Sequence, residues 1–184
     1  SENYEKIKYK IEVTKQYLSK DYFVSQEEFA KLIETIIFYE SEGNENFVSC
    51  DGKAGIIPLD KESARAVNLI VPDYETVTVI CDEREITTFE CNKIHSENCK
   101  KHIDERFNLQ KSIDAGSKYL AFLTAEFNDQ WLGIAAYKTS TESVRENCGL
   151  DTPNINECNA DFEGARYAGI INSLKLEIEK SKNA

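Results

Sequence analysis

No stretch of this sequence approaches the roughly 18–20 consecutive apolar residues that a bilayer-spanning helix needs, so no transmembrane segment is expected. Blocks rich in lysine and arginine are also missing. The 22 basic side chains face 33 acidic ones, which leaves 22 − 33 = −11. Without a cationic patch, nucleic acid and anionic membrane surfaces are excluded as main partners. The chain has no N-x-[ST] sequon, which argues against a heavily glycosylated surface. It has no internal repeat and no low-complexity segment, and its 184 residues read as one domain, 1–184. Methionine is absent even at position 1, and Ser1 opens no apolar leader, so a secretion signal is expected to have been removed already. Disorder is excluded by composition, with 41% hydrophobic and 10% aromatic residues.

Six cysteines are present: Cys50, Cys81, Cys91, Cys99, Cys148 and Cys158. An even number without a C-x-x-C motif favours disulfides and an oxidising location, whether extracellular, periplasmic or at the cell surface. Six cysteines allow about 15 pairings, and sequence does not choose among them. Cys148 and Cys158 do bracket a polar loop at a separation that suits a loop-closing bridge. Cys91, His95, Cys99 and His102 offer two thiolates and two imidazoles, a set that zinc accepts. On one helix these four would span about 16 Å and could not reach one ion. No metal and no cofactor are therefore expected, and bridges to Cys81 or across the neighbouring hairpin are preferred.

Periodicity marks most of the elements. Tyr4, Ile7, Ile11 and Leu18 suggest an amphipathic helix over 4–19. Ser25 with Glu28 three residues on is a capping box, and Phe29, Leu32, Ile33, Ile36 and Ile37 then form a core-facing stripe that stops at Gly43-Asn44. Residues 44–59 read as loop, and Asp60 caps a short helix to about Leu69. The runs 76–80 and 85–89 are β-branched and flank Asp82-Glu83-Arg84, a hairpin pattern. Ile113, Gly116, Leu120, Leu123 and Phe127 restore the helical period. Asp129 caps a helix over 131–137, in which Trp131 reads as a core anchor beside Leu132 and Ile134. Residues 138–161 read as polar loop, and a last helix is expected over 162–178. The expected fold is mainly α (α+β).

Glu40 stands out. It lies about three turns beyond Phe29 and so continues the buried stripe, next to a helix C-terminus. Burial and the helix dipole both disfavour a carboxylate there, the condition a general acid needs near neutral pH.

Glu40-Ser41-Glu42-Gly43-Asn44, followed by Val48-Ser49 and Gly55-Ile56-Ile57, resembles the signature of the soluble (SLT-type) lytic transglycosylases and the related goose-type lysozymes. Ser112-Ile113 with Gly116 and Tyr119-Leu120, then Ala135-Ala136-Tyr137, then Glu163-Gly164-Ala165-Arg166-Tyr167, are similar to three further blocks of that family, in the same order. The resemblance covers roughly 29–70 and 109–176. It implies a lysozyme-like domain in which 71–108, carrying the hairpin and three cysteines, is an insertion and a possible surface for a protein partner. It also implies cleavage of the β-1,4 bond between N-acetylmuramic acid and N-acetylglucosamine in peptidoglycan or a related glycan. Glu40 would be the single catalytic acid and base. Ser49, Ile57, Tyr137, Lys138 and Tyr167 would contact substrate, and the tyrosines would also orient Glu40. A muramyl C6 hydroxyl would attack in a transglycosylase, and water in a lysozyme-like muramidase.

Three positions depart from that pattern. Pro58 replaces a glutamine, Lys138 an asparagine and Ser140 a glycine. On the resemblance, both lost amides would hydrogen-bond sugar, and an ammonium close to Glu40 would favour its charged form. The alternative reading is a catalytically inactive lysozyme-like module that binds glycan or serves an assembly at the cell surface.

Overall fold

The apolar periods named above become helices that bury one stripe each. A computed structural model describes residues 2–18 and 25–183, without the side chains of residues 2, 3, 13–18 and 26. Seven α-helices and one two-stranded antiparallel sheet occur among these residues, so the fold is mainly α with a small β element. The helices are α1 (Glu2–Leu18), α2 (Gln26–Ser41), α3 (Lys61–Ala66), α4 (Leu109–Phe127), α5 (Gln130–Lys138), α6 (Thr141–Cys148) and α7 (Glu163–Lys182). The strands are β1 (Thr76–Cys81) and β2 (Arg84–Phe89). Residue 19 and the Leu18 side chain, both part of the first expected helix, lie outside the described residues.

Two compact units can be distinguished: Ser1–Lys10 with Ile36–Gly116, and Ile11–Thr35 with Ser117–Ala184. In the first, the end of α2 passes through left-handed residues Glu42 (φ 52°) and Gly43 (φ 79°) into the 44–59 loop. Val48, Ala54 and Leu59 are joined there by two isolated β-bridges. Asp60 caps α3, its carboxylate accepting from Ser63 N at 2.7 Å. That helix ends earlier than expected because Asn68 turns left-handed (φ 67°) and Leu69 N bonds back to Ala64 O at 3.0 Å. In the hairpin, Asp82 and Glu83 alone make the turn, both at positive φ (49° and 63°), as a tight turn between twisted strands requires. Arg84 therefore pairs with Cys81 as strand and does not belong to the turn. Val79 and Thr88 are buried on one hairpin face, while Thr76, Thr78, Ile80 and Thr87 are exposed on the other.

The cysteines resolve into three disulfides: Cys50–Cys81, Cys91–Cys99 and Cys148–Cys158. Cys148–Cys158 is the loop-closing bridge expected. Cys91 and Cys99 pair with each other, across the single 3-10 turn Ser96–Asn98, and not with Cys81, because Cys81 is taken by Cys50. Both thiolates of the Cys/His constellation are thereby consumed.

In the second unit α5 packs along α7. Two expectations fail here. Residues 141–148, read as loop, form α6: Ser140 accepts from Ser143 N at 3.0 Å as its cap, and Val144 and Cys148, one turn apart, are buried. Two apolar residues in eight were too few to signal a helix by period. Trp131, read as a core anchor, is 37% exposed on the first turn of α5, and Leu132 and Ile134 behind it are buried. The last helix, expected over 162–178, begins at Glu163 with Phe162 as its cap residue and runs on to Lys182.

Candidate functional site

Glu40 is the penultimate residue of α2 and is half-buried. Among the described residues of its unit, no hydrogen bond or ion pair engages its carboxylate. The residue after it fixes the local geometry. Ser41 is 4% exposed, and its hydroxyl lies 2.7 Å from Ile56 O and 3.1 Å from Ile37 O. This hydroxyl ties the helix end to the middle of the following loop.

Three residues of the loop constrain its arrangement. Gly55 sits at φ +100°, and a Cβ there would clash with the Arg106 carbonyl and stand 2.7 Å from Ser112 Oγ. Ile56 and Ile57 are fully buried. Ile57 packs against Gly116, where an added Cβ would come within 2.7 Å of it. Ile57 is thus core, not a surface that meets substrate: its side chain is 0% exposed. The glycine at position 116 in the resembling helix has a physical reason, namely room for that isoleucine. Ser49 N donates to Lys53 O at 2.8 Å; the hydroxyl accepts from Lys53 N at 2.9 Å and donates to the Asp51 carboxylate. It spends its bonds on its own turn. That turn is tied to the hairpin by Thr88 Oγ1 donating to Asp51 O (2.8 Å), by Lys93 N donating to Ser49 O (3.0 Å) and by the Cys50–Cys81 bridge.

Sequence reasoning missed a buried polar cluster behind this loop. Asp104 and Arg106 are 1% and 2% exposed and form an ion pair of 2.7 Å. Tyr74 donates to Asp104 Oδ2 at 2.9 Å and accepts from Lys100 N at 3.0 Å. Burial, then the proximity and hydrogen bond of Asp104, push the Tyr74 hydroxyl up to about 12. The only hint in sequence is the Asp104-Glu105-Arg106 run before α4, which reads more simply as solvated charge.

The other residues singled out lie in the second unit. Tyr137 and Tyr167 are 7% and 4% exposed, their rings 6.3 Å apart, and Tyr119 meets Tyr137 edge-on at 6.5 Å. Lys138 follows Tyr137 at the end of α5. Its ammonium lies 5.3 Å from the Tyr167 ring centre and 4.0 Å from Glu163 Oε1. Lys138 thus has a carboxylate and an aromatic face within its own unit. Ser140, the third departure from the family pattern, is the cap of α6.

Residues 86–154 match the family model of the transglycosylase SLT domain. The crystal structure of the 70 kDa soluble lytic transglycosylase Slt70 from Escherichia coli shares the fold, with a TM-score of 0.58 at 15% identity over 89% of this chain. The chain shares the fold of that structure, and its residues 86–154 are similar to the SLT domain. This SLT-like chain spans 23% of the length of Slt70, so the likeness concerns one part of that enzyme. No curated protein matches the sequence. The family match contains the Ser112–Leu120 and Ala135–Tyr137 blocks, while the Glu40 and Tyr167 blocks lie outside it.

Proposed function

We propose that the SLT-like chain cleaves a peptidoglycan-type glycan, with Glu40 as the single acid and base. The observation that carries this reading is Glu40 itself: a half-buried carboxylate at the end of an apolar helix, followed by a serine that locks the helix end to its loop. A carboxyl group in that setting, in its protonated form, gives its proton to the leaving oxygen, and the carboxylate left behind then accepts a proton from the attacking hydroxyl. Read as a single acid and base, without the usual partner carboxylate, Glu40 favours the transglycosylase outcome, in which the muramyl C6 hydroxyl attacks. Tyr137, Lys138 and Tyr167 enter the proposal as contributors to sugar binding on the resemblance alone. Segment 71–108 enters as an insertion within a single domain. Three disulfides support a working location outside the cytosol, whether extracellular, periplasmic or at the cell surface.

Incubation with purified peptidoglycan should release muropeptides ending in 1,6-anhydro sugars, and Glu40→Gln should abolish them. Reducing ends in their place would make the chain a hydrolase. No product from the native protein, or equal product from Glu40→Gln, would overturn the catalytic reading. Pro58 and Lys138, standing where the family has amides, favour one rival: an inactive module that binds glycan or a cell-surface partner. That rival predicts retained glycan or partner binding in Glu40→Gln with no turnover by either protein.

A further inference from the structure

The chemistry proposed for Glu40 makes no use of Arg106, yet Arg106 is 2% exposed and its guanidinium is bonded on every side. Nε donates to Asp104 Oδ1 at 3.0 Å and Nη2 to Asp104 Oδ2 at 2.7 Å, a two-pronged pairing. Nη1 turns the other way and donates to Gly52 O at 3.2 Å and Leu59 O at 3.1 Å. Asp104 is itself held by Tyr74 and by Arg106 N, at 2.9 Å and 3.1 Å. One side chain therefore pins two carbonyls at either end of the stretch that contains Gly55, Ile56 and Ile57. Ile56 O is the acceptor for Ser41, the residue after Glu40. The Arg106 backbone carbonyl also closes the space beside Gly55. A buried ion pair adds little net stability over apolar packing, because desolvation offsets its attraction. What this pair adds is the two hydrogen bonds from Nη1 to the loop carbonyls.

We propose that Arg106 is a positioning residue for Glu40, acting through the 52–59 loop and Ser41. The inference rests on the reading of Glu40 given above. It also assigns the 71–108 segment a role of its own: Tyr74, Asp104 and Arg106 brace the loop from behind, and Cys50–Cys81 braces it from the hairpin.

Arg106→Lys keeps the charge and loses the fork. Its kcat on peptidoglycan fragments should fall about ten- to a hundredfold with KM within about twofold, since a displaced catalytic group costs rate before binding. Ile171→Val, a core change in the second unit, serves as control; at a matched loss of thermal stability it should keep its kcat. Amide exchange at 52–59 should quicken in Arg106→Lys and not in Ile171→Val. If Arg106→Lys does not fold, Tyr74→Phe removes one bond to Asp104 and leaves the pair, and should show the same exchange and a smaller fall in kcat. Native kcat in Arg106→Lys, or in Tyr74→Phe where that variant is the test, overturns the proposal; so does a loss that merely tracks thermal stability as in Ile171→Val. Those results leave the Glu40 reading standing if Glu40→Gln is inactive. No turnover by the native protein overturns both.

Discussion

At the scale of single residues, Gly55 shows how backbone sterics shape the Glu40 loop. Its φ of +100° is one that side-chain-bearing residues rarely adopt, and the space a Cβ would need holds the Arg106 carbonyl and Ser112 Oγ. Gly55→Ala should cost about 1–3 kcal/mol or more in chemical denaturation, with a larger fractional loss of turnover than of stability. Tyr74 offers a second test. Its hydroxyl, ordinarily at 10.0, is pushed up to about 12 by burial first and by Asp104 after it. A group raised on folding contributes its stability fully below the unfolded value and loses it as pH climbs through the folded one. Stability should therefore decline between about pH 10 and 12, in a phase that Tyr74→Phe removes; equal alkaline profiles for both proteins would refute the assignment. Glu40 was legible from sequence because it interrupts an otherwise apolar stripe. Tyr74, Asp104 and Arg106 were not, because they come together from segments about thirty residues apart and no period marks them.

Helices α2 and α7 show the same contrast at the scale of elements. The stripe from Phe29 to Ile37 is fully readable, and all five of its residues are 4% exposed or less. The polar positions of these helices carry information that appears only once the helices pack. Lys175, 8% exposed, reaches Glu28 at 2.9 Å; Lys182 reaches Glu34 at 3.0 Å. The hydrogen bond from Lys175 is the main reason the Glu28 carboxyl is held below its usual 4.5, burial opposing it. A carboxyl lowered on folding contributes stability above the unfolded value and loses it as pH falls through the folded one. Lys175→Met should flatten the acid limb of the stability profile below about pH 4.5, as followed by circular dichroism; an unchanged limb would show the pair to be idle. Helix α6 was illegible for a different reason. Its apolar residues, Val144 and Cys148, are too few to declare a period, and its Ser140 cap looks like any loop serine until the backbone closes on it.

For the whole molecule, charge and cross-links set the terms on which it meets a partner. A net charge of −11 gives the chain no electrostatic pull toward an anionic cell wall, so the wall binding proposed above would have to come from short-range contacts. Raising ionic strength from about 0.01 to 0.15 M, which shortens the screening length from about 30 to 8 Å, should lower the apparent KM on intact peptidoglycan. A KM that rises with salt would instead reveal a cationic binding face. The three disulfides span separations of 31, 8 and 10 residues, and each closes loop or hairpin segments rather than joining helix to helix. Cysteine here braces connections around a core that apolar helices build by themselves.

Local patterns sufficed for the helices with full apolar stripes, the hairpin, the Cys148–Cys158 bridge and the interruption at Glu40. Each of these rests on residues close together in the chain, where spacing and turn chemistry act directly. The tertiary structure alone decided the pairing of Cys50 with Cys81 and of Cys91 with Cys99. It alone buried Ile57 and exposed Trp131, and it alone assembled Tyr74, Asp104 and Arg106 behind the Glu40 loop. Those outcomes depend on which distant segments meet, and the energy of a buried charge or a fully packed isoleucine is settled by its neighbours in space, not by its neighbours in sequence.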